Sequence, residues 1–326
     1  MSTKDSVLQA LQENGGNFIS GEELSNRLSI SRTAVWKAIR SLRQEGYTIN
    51  AVTNRGYMLM NEDGVITEAE LRSFLPPRYR NNRIHVYDTT DSTNLQAKRI
   101  ALENAEHGSV VVAMQQTGGR GRLGRSFFSP KNGIYLSIII RPSFDLSRSI
   151  LVTSAAAVAV ADAVEAVCGK SAGIKWVNDV YVDGKKICGI LTEGITDFET
   201  GQIDALIIGI GVNTSTDGFP PELLEVAGAV EGDYSPAELA AGIISRTLDL
   251  TDNIESRSFI EEYKNKSLVL GKTVKVYKGG YNTDTEHTHR GVPASVLDID
   301  DDGCLVVLYS DGSRETLSSG EISIRF

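Results

Sequence analysis

Cysteine is scarce. Only Cys168, Cys188 and Cys304 occur in 326 residues, an odd and widely spaced set with no C-x-x-C, so neither a disulfide framework nor a zinc ribbon is available and a reducing compartment fits best. Long hydrophobic runs are missing as well. The longest mostly apolar stretch, residues 150–161, contains Thr153 and Ser154 and stops at Asp162, which at about 12 residues is too short to span a bilayer. The first fifteen residues lack a basic segment followed by an apolar one, so no secretory signal is expected and a cytoplasmic protein without a membrane partner is predicted. A global excess of positive charge is also absent: the formal net charge is −9, which argues against a broad nonspecific nucleic-acid binder, although averaging over domains can hide a local basic face. What remains is ordinary for a folded chain, with 41% apolar and 23% charged residues, and it excludes wholly disordered, collagenous and coiled-coil classes. The length suits two domains with room for a small third.

Positive charge is nevertheless concentrated in one place. Between residues 26 and 55 stand Arg27, Arg32, Lys37, Arg40, Arg43 and Arg55 against a single acid, Glu45, a local balance of +5. Apolar positions around it recur at helical spacing, as Val7, Leu8 and Leu11, then Leu24 and Leu28, then Val35, Ile39 and Leu42, which predicts three short helices. Ser20 and Ser31 precede the second and third as N-caps, and Ser20 has Glu23 three residues on as a capping box. The connection Ser29-Ile30-Ser31 is short enough to cross the second and third helices, a helix-turn-helix. Tyr47, Ile49 and Val52, then Asn54-Arg55-Gly56, then Tyr57 and Leu59 predict two strands around a turn, a wing. Ser31, Arg32, Thr33, Lys37 and Arg40 suit phosphate and base-edge contacts in a major groove, and Arg55 at the wing tip suits a phosphate or a minor groove. Trp36 is expected in the core. Charge, turn length and wing coincide in the order that DNA binding requires, which favours it over a small module used for protein contact.

Residues 61–64 separate this module from the rest of the chain, and Thr67 with Glu70 three positions on predicts a helix start. From residue 84 to about 265 strands and helices alternate: strands at 84–87, 109–114, 134–140, 174–176, 179–182, 186–194 and 205–212, helices at 92–103 and 146–167. This predicts an α+β or mixed α/β domain of catalytic size. Gly119-Arg120-Gly121-Arg122-Leu123-Gly124 formally matches G-x-G-x-x-G, but a dinucleotide loop must open into a helix, and the turn-rich residues 126–133 lead to a strand instead. The loop suits anion binding through Arg120, Arg122 and Arg125; by itself it is equally compatible with a solvated basic surface. No Walker A loop occurs, since Gly169-Lys170-Ser171 and Gly271-Lys272-Thr273 lack the upstream glycine. A hairpin turn at Asp183-Gly184 brings Lys175, Asn178 and Asp179 towards Lys186. Lys186 heads into an apolar strand and needs an anion, either a ligand or a structural salt bridge to Asp179.

The motifs Asp91-Ser92-Thr93-Asn94, Gln115-Gln116-Thr117, Gly119-Arg120-Gly121-Arg122-Leu123-Gly124-Arg125, Lys175-Trp176-Val177-Asn178-Asp179, Lys186-Ile187-Cys188-Gly189-Ile190-Leu191 and Gly209-Ile210-Gly211-Val212-Asn213 occur in this order over most of the chain. With the winged helix before them, the sequence resembles the bifunctional biotin protein ligases that also repress the biotin operon. Val177 departs from the family's usual proline, a change expected to affect local rigidity more than chemistry. The resemblance implies an α+β multidomain chain: a winged helix-turn-helix over 1–65, a mixed-sheet ligase domain over 66–268, and an SH3-like β barrel over 269–326. Residues 272–277, 291–299, 304–309 and 313–317 read as short strands of such a barrel.

It also implies that biotin attacks ATP to give biotinyl-5′-AMP, which then acylates a lysine of a biotin carboxyl carrier protein. Both reactants are anionic, so Lys186, Arg120, Arg122 and Mg²⁺ are the expected screening and catalytic groups. Ser92, Thr93 and Gln116 are implied partners of the ureido ring, with Gly121 and Gly189 helping through the backbone and Asn94, Arg120, Arg122 and Lys186 completing the biotin set. Arg122, Phe127, Lys175, Asn178 and Asn213 are implied for the nucleotide and Asp179 for the metal, while ordinary core packing competes for Phe127. Closure of the glycine-rich loop over the adenylate excludes water, and a homodimer promoted by biotinyl-5′-AMP presents two winged helices to operator DNA. A biotin-sensing transcription factor is opposed by the intact arginines and Lys186, and a lipoate-type ligase by the complete glycine-arginine loop with Lys175-Trp176. His287 and His289 have no third ligand nearby and are expected in an exposed loop.

Overall fold

The N-terminal module begins with helices α1 (Thr3–Glu13), α2 (Gly21–Leu28) and α3 (Arg32–Gln44). Each starts at a serine whose oxygen accepts a backbone N–H three residues on: Ser2 from Asp5, Ser20 from Glu23 and Ser31 from Ala34, at 3.2, 3.0 and 3.1 Å. The reciprocal capping box expected at Ser20 occurs instead at Ser2, whose N–H donates to the Asp5 carboxylate. Val7, Leu11, Leu24, Val35, Ile39 and Leu42 close the small core. Strands β1 (Ile49–Val52) and β2 (Gly56–Leu59) pair antiparallel as the wing. Trp36 is not core. It is 52% exposed, with the Arg40 guanidinium 5.6 Å from its ring centroid, because it lies one helical step from buried Val35, on the side of Arg32, Lys37 and Arg40.

The computed structural model describes residues 2–14, 17–45, 47–52, 55–59, 65–131, 133–142, 144, 149–196, 202–277, 291–318 and 321–323; His287 and His289 lie outside the described residues. After α4 (Glu68–Phe74) come β3 (Ile84–Tyr87), α5 (Thr93–Leu102), β4 (Val110–Ala113), β5 (Ile134–Ile140), α6 (Ser149–Cys168), β6 (Gly173–Lys175), β7 (Asp179–Val182), β8 (Lys185–Thr196), β9 (Ile203–Val212), α7 (Pro221–Leu224), α8 (Pro236–Asp252) and α9 (Ile260–Asn265). The strands form one seven-stranded sheet in the order β3-β4-β5-β9-β8-β7-β6, parallel only between β3 and β4. Alternation along β4 sends Val110 and Val112 to the face covered by α6 and α8, and Val111 to the face covered by α5.

Helix α6 is longer than the apolar stretch read from the sequence, because Asp162 and Glu165 do not end it. Its 20 residues are long and apolar enough to cross a membrane, yet residues 155–161 are fully buried in the protein's own core. Among the described residues five further strands follow: β10 (Thr273–Tyr277), β11 (Val292–Ile299), β12 (Leu305–Tyr309), β13 (Arg314–Leu317) and β14 (Glu321–Ser323), in the antiparallel order β13-β12-β11-β10-β14. The short β14 has no strand-length pattern in the sequence; pairing with β10 defines it. Trp176 Nε1 donates to the Gly303 carbonyl at 2.9 Å and ties this sheet to the central one.

Candidate active site

The turn from β3 into α5 is organised by Asp91. Its carboxylate accepts from the Ser92 N–H at 2.7 Å and from Gln96 and Arg99 at 3.1 and 2.9 Å. Desolvation pushes this carboxyl up, but the Ser92 and Arg99 bonds outweigh it and hold the group below the usual carboxylate range. Ser92 sits at the helix N-cap without a side-chain capping bond, and its buried hydroxyl borders a cavity. Thr93 is the next residue. Its N–H and hydroxyl face the Gln116 side-chain oxygen at 2.8 and 3.2 Å, and Gln116 Nε2 donates to Ser129 Oγ at 3.0 Å.

The floor of the cavity is made of glycines. Gly189 on β8 and Gly211 on β9 are register partners, and the Phe127 ring lies over both: a Cβ on Gly211 would come within 2.5 Å of the ring and one on Gly189 within 3.0 Å. Phe127 also meets Tyr135 edge-on at 6.4 Å. It is therefore both a wall and a packed group. The loop before it folds back on itself through Phe127 N–H to Gly119 O and Gly121 N–H to Arg125 O, at 2.9 and 2.8 Å. Only a three-residue turn at Arg122–Gly124 interrupts it, so the helix a dinucleotide would need is missing, as the sequence indicates.

Arg120, Arg122 and Lys186 reach the same cavity, together with Gly121, Lys175, Asn178, Asp179 and Gly189. Arg122 Nη1 donates to Asn178 Oδ1 at 3.2 Å, and Asn178 Nδ2 to the Ile190 carbonyl at 3.0 Å. Lys186 Nζ stands 2.7 Å from Asp179 Oδ1. The anion that Lys186 meets is thus the Asp179 carboxylate, the structural salt bridge of the two sequence alternatives, at the edge of the cavity. Val177 stands in a cis peptide linkage with Trp176.

Three expectations change. Asn213 does not border the cavity: it is buried, donates from Nδ2 to the Gly228 carbonyl at 3.0 Å and accepts from the Val230 N–H at 2.8 Å. Asn94 borders the cavity, but its amide is engaged by Ser137, Leu191 and Glu193, so it supports the wall rather than offering donors to a ligand. Arg55 does not project from the wing; it donates to the carbonyl of Ser73 and lies over the Phe18 ring at 4.4 Å, because a last-turn carbonyl of α4 needs a donor. Arg32, Thr33, Lys37 and Arg40 are exposed on α3 as expected, whereas Ser31 Oγ serves as its cap. Sequence patterns did not single out Gly209, Gly211, Leu123 and Ile322 as site residues, yet all four border the cavity. The two glycines carried a signal in Gly209-Ile210-Gly211; Ile322 arrives only through the pairing of β14.

Comparison with known proteins places these features in a family. A family model described as the Biotin/lipoate A/B protein ligase family matches residues 86–213, an HTH domain model residues 3–58, and a Biotin protein ligase C terminal domain model residues 288–325. The Bifunctional ligase/repressor BirA of Bacillus spizizenii is 35% identical over 318 residues, 96% of each chain, and that of Escherichia coli is 27% identical over 95% of this chain and 94% of the relative. Among solved structures, the biotin protein ligase from Aquifex aeolicus in complex with biotin and ATP superposes with a TM-score of 0.61 at 27% identity, covering 74% of this chain and 98% of that one.

Proposed function

The chain belongs to the biotin/lipoate A/B protein ligase family, among its bifunctional ligase/repressors, and on that premise we propose that it activates biotin with ATP, transfers it to a lysine of a biotin carboxyl carrier protein, and represses transcription by binding operator DNA. One observation carries the ligase reading: a single cavity is bordered both by the neutral hydrogen-bonding set Ser92, Thr93 and Gln116 and by the cations Arg120, Arg122 and Lys186. The first set suits a polar, uncharged ring. The second suits a carboxylate meeting a polyphosphate. In the first step a biotin carboxylate oxygen bonds to the α-phosphorus of ATP and pyrophosphate leaves. In the second the lysine amine bonds to the acyl carbon, AMP leaves with the bonding pair, and the amine gives up a proton.

Lys186, Arg120 and Arg122 neutralise charge that gathers on the phosphorus oxygens. Phe127, Lys175 and Asn178 flank the nucleotide, with Gly121 and Gly189, which carry no side chain, letting biotin come close to the backbone. Asp179 is assigned to Mg²⁺. Its buried Oδ1 has no aligned hydrogen bond despite the nearby Lys186, and the described residues contain no cluster of three or more possible His, Cys, Asp or Glu ligands, a pattern that suits an ion taking one carboxylate and filling its shell with water and phosphate oxygens. Bound there, Mg²⁺ supplies neutralisation of phosphate charge.

Residues 1–65, 66–268 and 269–326 are assigned to DNA binding, ligation and the C-terminal module. Arg32, Thr33, Lys37 and Arg40 on α3, with Ser31 at its cap, form the surface for operator DNA, which two copies joined on formation of biotinyl-5′-AMP would grip at two half-sites. Among the described residues no strand pairs with β8 beyond Leu191 on the side away from β9, which leaves that part of the strand available to a second copy. A cytoplasmic location suits both activities. The test is biotin-dependent pyrophosphate exchange with ATP and Mg²⁺, with lipoate as the control. Exchange with biotin alone is expected; exchange with neither acid would overturn the ligase reading.

A further inference from the structure

Behind the cavity wall a chain of hydrogen bonds runs from the surface to the loop. Lys98 Nζ contacts Glu193 Oε1 at 2.5 Å, Asn94 Nδ2 donates to Glu193 Oε2 at 2.7 Å, and the same amide nitrogen reaches the Leu191 carbonyl at 3.3 Å. On its other side Asn94 Oδ1 meets Ser137 Oγ at 2.6 Å, and Ser137 Oγ lies 2.8 Å from Thr93 Oγ1. Thr93 and Gln116 continue the chain to Ser129, whose hydroxyl donates to the Phe127 carbonyl at 2.9 Å. Asn94, Thr93 and Ser137 are almost completely buried, so no bulk water repairs a mismatch in this chain.

The order of donors and acceptors is set at its outer end. An ionised carboxylate and a carbonyl only accept, so Glu193 and Leu191 O require the Asn94 NH₂ on their side and turn its oxygen towards Ser137. Ser137 has one proton and gives it to that oxygen, the nearer of its two acceptors. Thr93 then gives its own proton to Ser137 Oγ, 2.8 Å away, and its lone pairs remain for the cavity. Without Glu193 the Asn94 amide is free to turn over, Ser137 passes its proton to Thr93, and one of those lone pairs is used up. Gly209 belongs to the same device, since a Cβ there would overlap Asn94 Oδ1.

We propose that Glu193, held by Lys98, is a positioning residue that makes Thr93 an acceptor towards the cavity and so selects a ligand presenting N–H donors, as the ureido ring of biotin does. This rests on the reading of the cavity as the biotin site. Its test is the KM for biotin against kcat in pyrophosphate exchange. Glu193→Ala is expected to raise the biotin KM about tenfold, the effect of one hydrogen bond of ordinary strength, with kcat and the KM for ATP within about twofold of the parent. Glu193→Gln, whose side-chain oxygen still accepts from Asn94, restores the parent KM. Asn94→Leu, which removes the acceptor of the Ser137 proton and so sends it to Thr93, reproduces the Glu193→Ala defect and serves if that variant does not fold. A cyclic carbamate analogue of biotin, with one ureido N–H replaced by oxygen, is expected to lose at least about fivefold less against Glu193→Ala than against the parent protein. An unchanged biotin KM in both Glu193→Ala and Asn94→Leu overturns the proposal while the exchange reaction stands. No biotin-dependent exchange in the parent protein removes the site assignment and the proposal with it.

Discussion

Lys186 illustrates how much one side chain decides. Half-buried at the cavity edge, it has Asp179 at 2.7 Å, and in the proposed function this already placed cation is where two anions must approach each other. Lys186→Ala is expected to slow pyrophosphate exchange by roughly two to three orders of magnitude, the usual effect of deleting one preorganised charge-stabilising group, with the folded structure retained because the side chain is not core. A variant exchanging at the parental rate would remove Lys186 from the chemistry. Gly211 acts by what it lacks. With a Cβ there the Phe127 ring has to leave the sheet, and Gly211→Ala is expected to raise the KM for biotin or ATP in the same assay, with lesser effect if Phe127 is first shortened to Leu.

At the scale of elements, α4 and the winged helix carry separate tests. Thr67 Oγ1 caps α4 by accepting from the Glu70 N–H at 3.2 Å, but the Glu70 side chain is buried, and burial pushes its carboxyl up to about 7 from an ordinary 4.5. The unfolded chain ionises first, so this group's stability contribution is complete below pH 4.5, falls as pH rises, and is lost above about pH 7. The swing is on the order of 3 kcal/mol. Glu70→Gln is expected to raise the denaturation midpoint at pH 8 and leave it nearly unchanged at pH 4.5; parallel pH profiles for the two proteins would contradict this. On the winged helix, α3 exposes Lys37 and Arg40 while Arg55 is turned onto Ser73 and Phe18. Lys37→Ala is therefore expected to lower the salt slope of duplex DNA binding by about one, and Arg55→Ala to leave it unchanged. Equal slopes for the two variants would return Arg55 to the DNA-binding face.

For the whole molecule, the two small modules are joined to the ligase core by identifiable bonds: Arg55 to Ser73 from the wing, Trp176 to Gly303 and the cavity contact of Ile322 from the C-terminal sheet. In the proposed function adenylate formation at the cavity and DNA binding at α3 thus fall to separate parts of one chain, and dimerisation is the step that couples them. Sedimentation velocity with biotin, ATP and Mg²⁺ is expected to show a shift from monomer towards dimer that neither substrate alone produces. An identical sedimentation coefficient with and without the substrates would detach repression from ligation.

The sequence by itself determined what depends on local chemistry and periodicity. Three helices with the caps of the second and third, the wing, the succession of central strands along the chain and the motifs of the cavity were legible because caps, turns and alternation act over a few residues. Thr93, Gln116, Arg120, Arg122 and Lys186 were recognisable as a set from their motifs. Only tertiary structure decided what depends on partners far along the chain. Trp36 emerged on the surface because its neighbours on α3, not its hydrophobicity, determine which face packs. Asn213 became a structural latch once Gly228 and Val230 supplied its partners, and Arg55 turned inward because a carbonyl 18 residues away lacked a donor. Glu193, 99 residues beyond Asn94, carries no motif at all: its role exists only where β8 passes beneath α5, since a hydrogen bond depends on separation in space and is indifferent to separation in sequence.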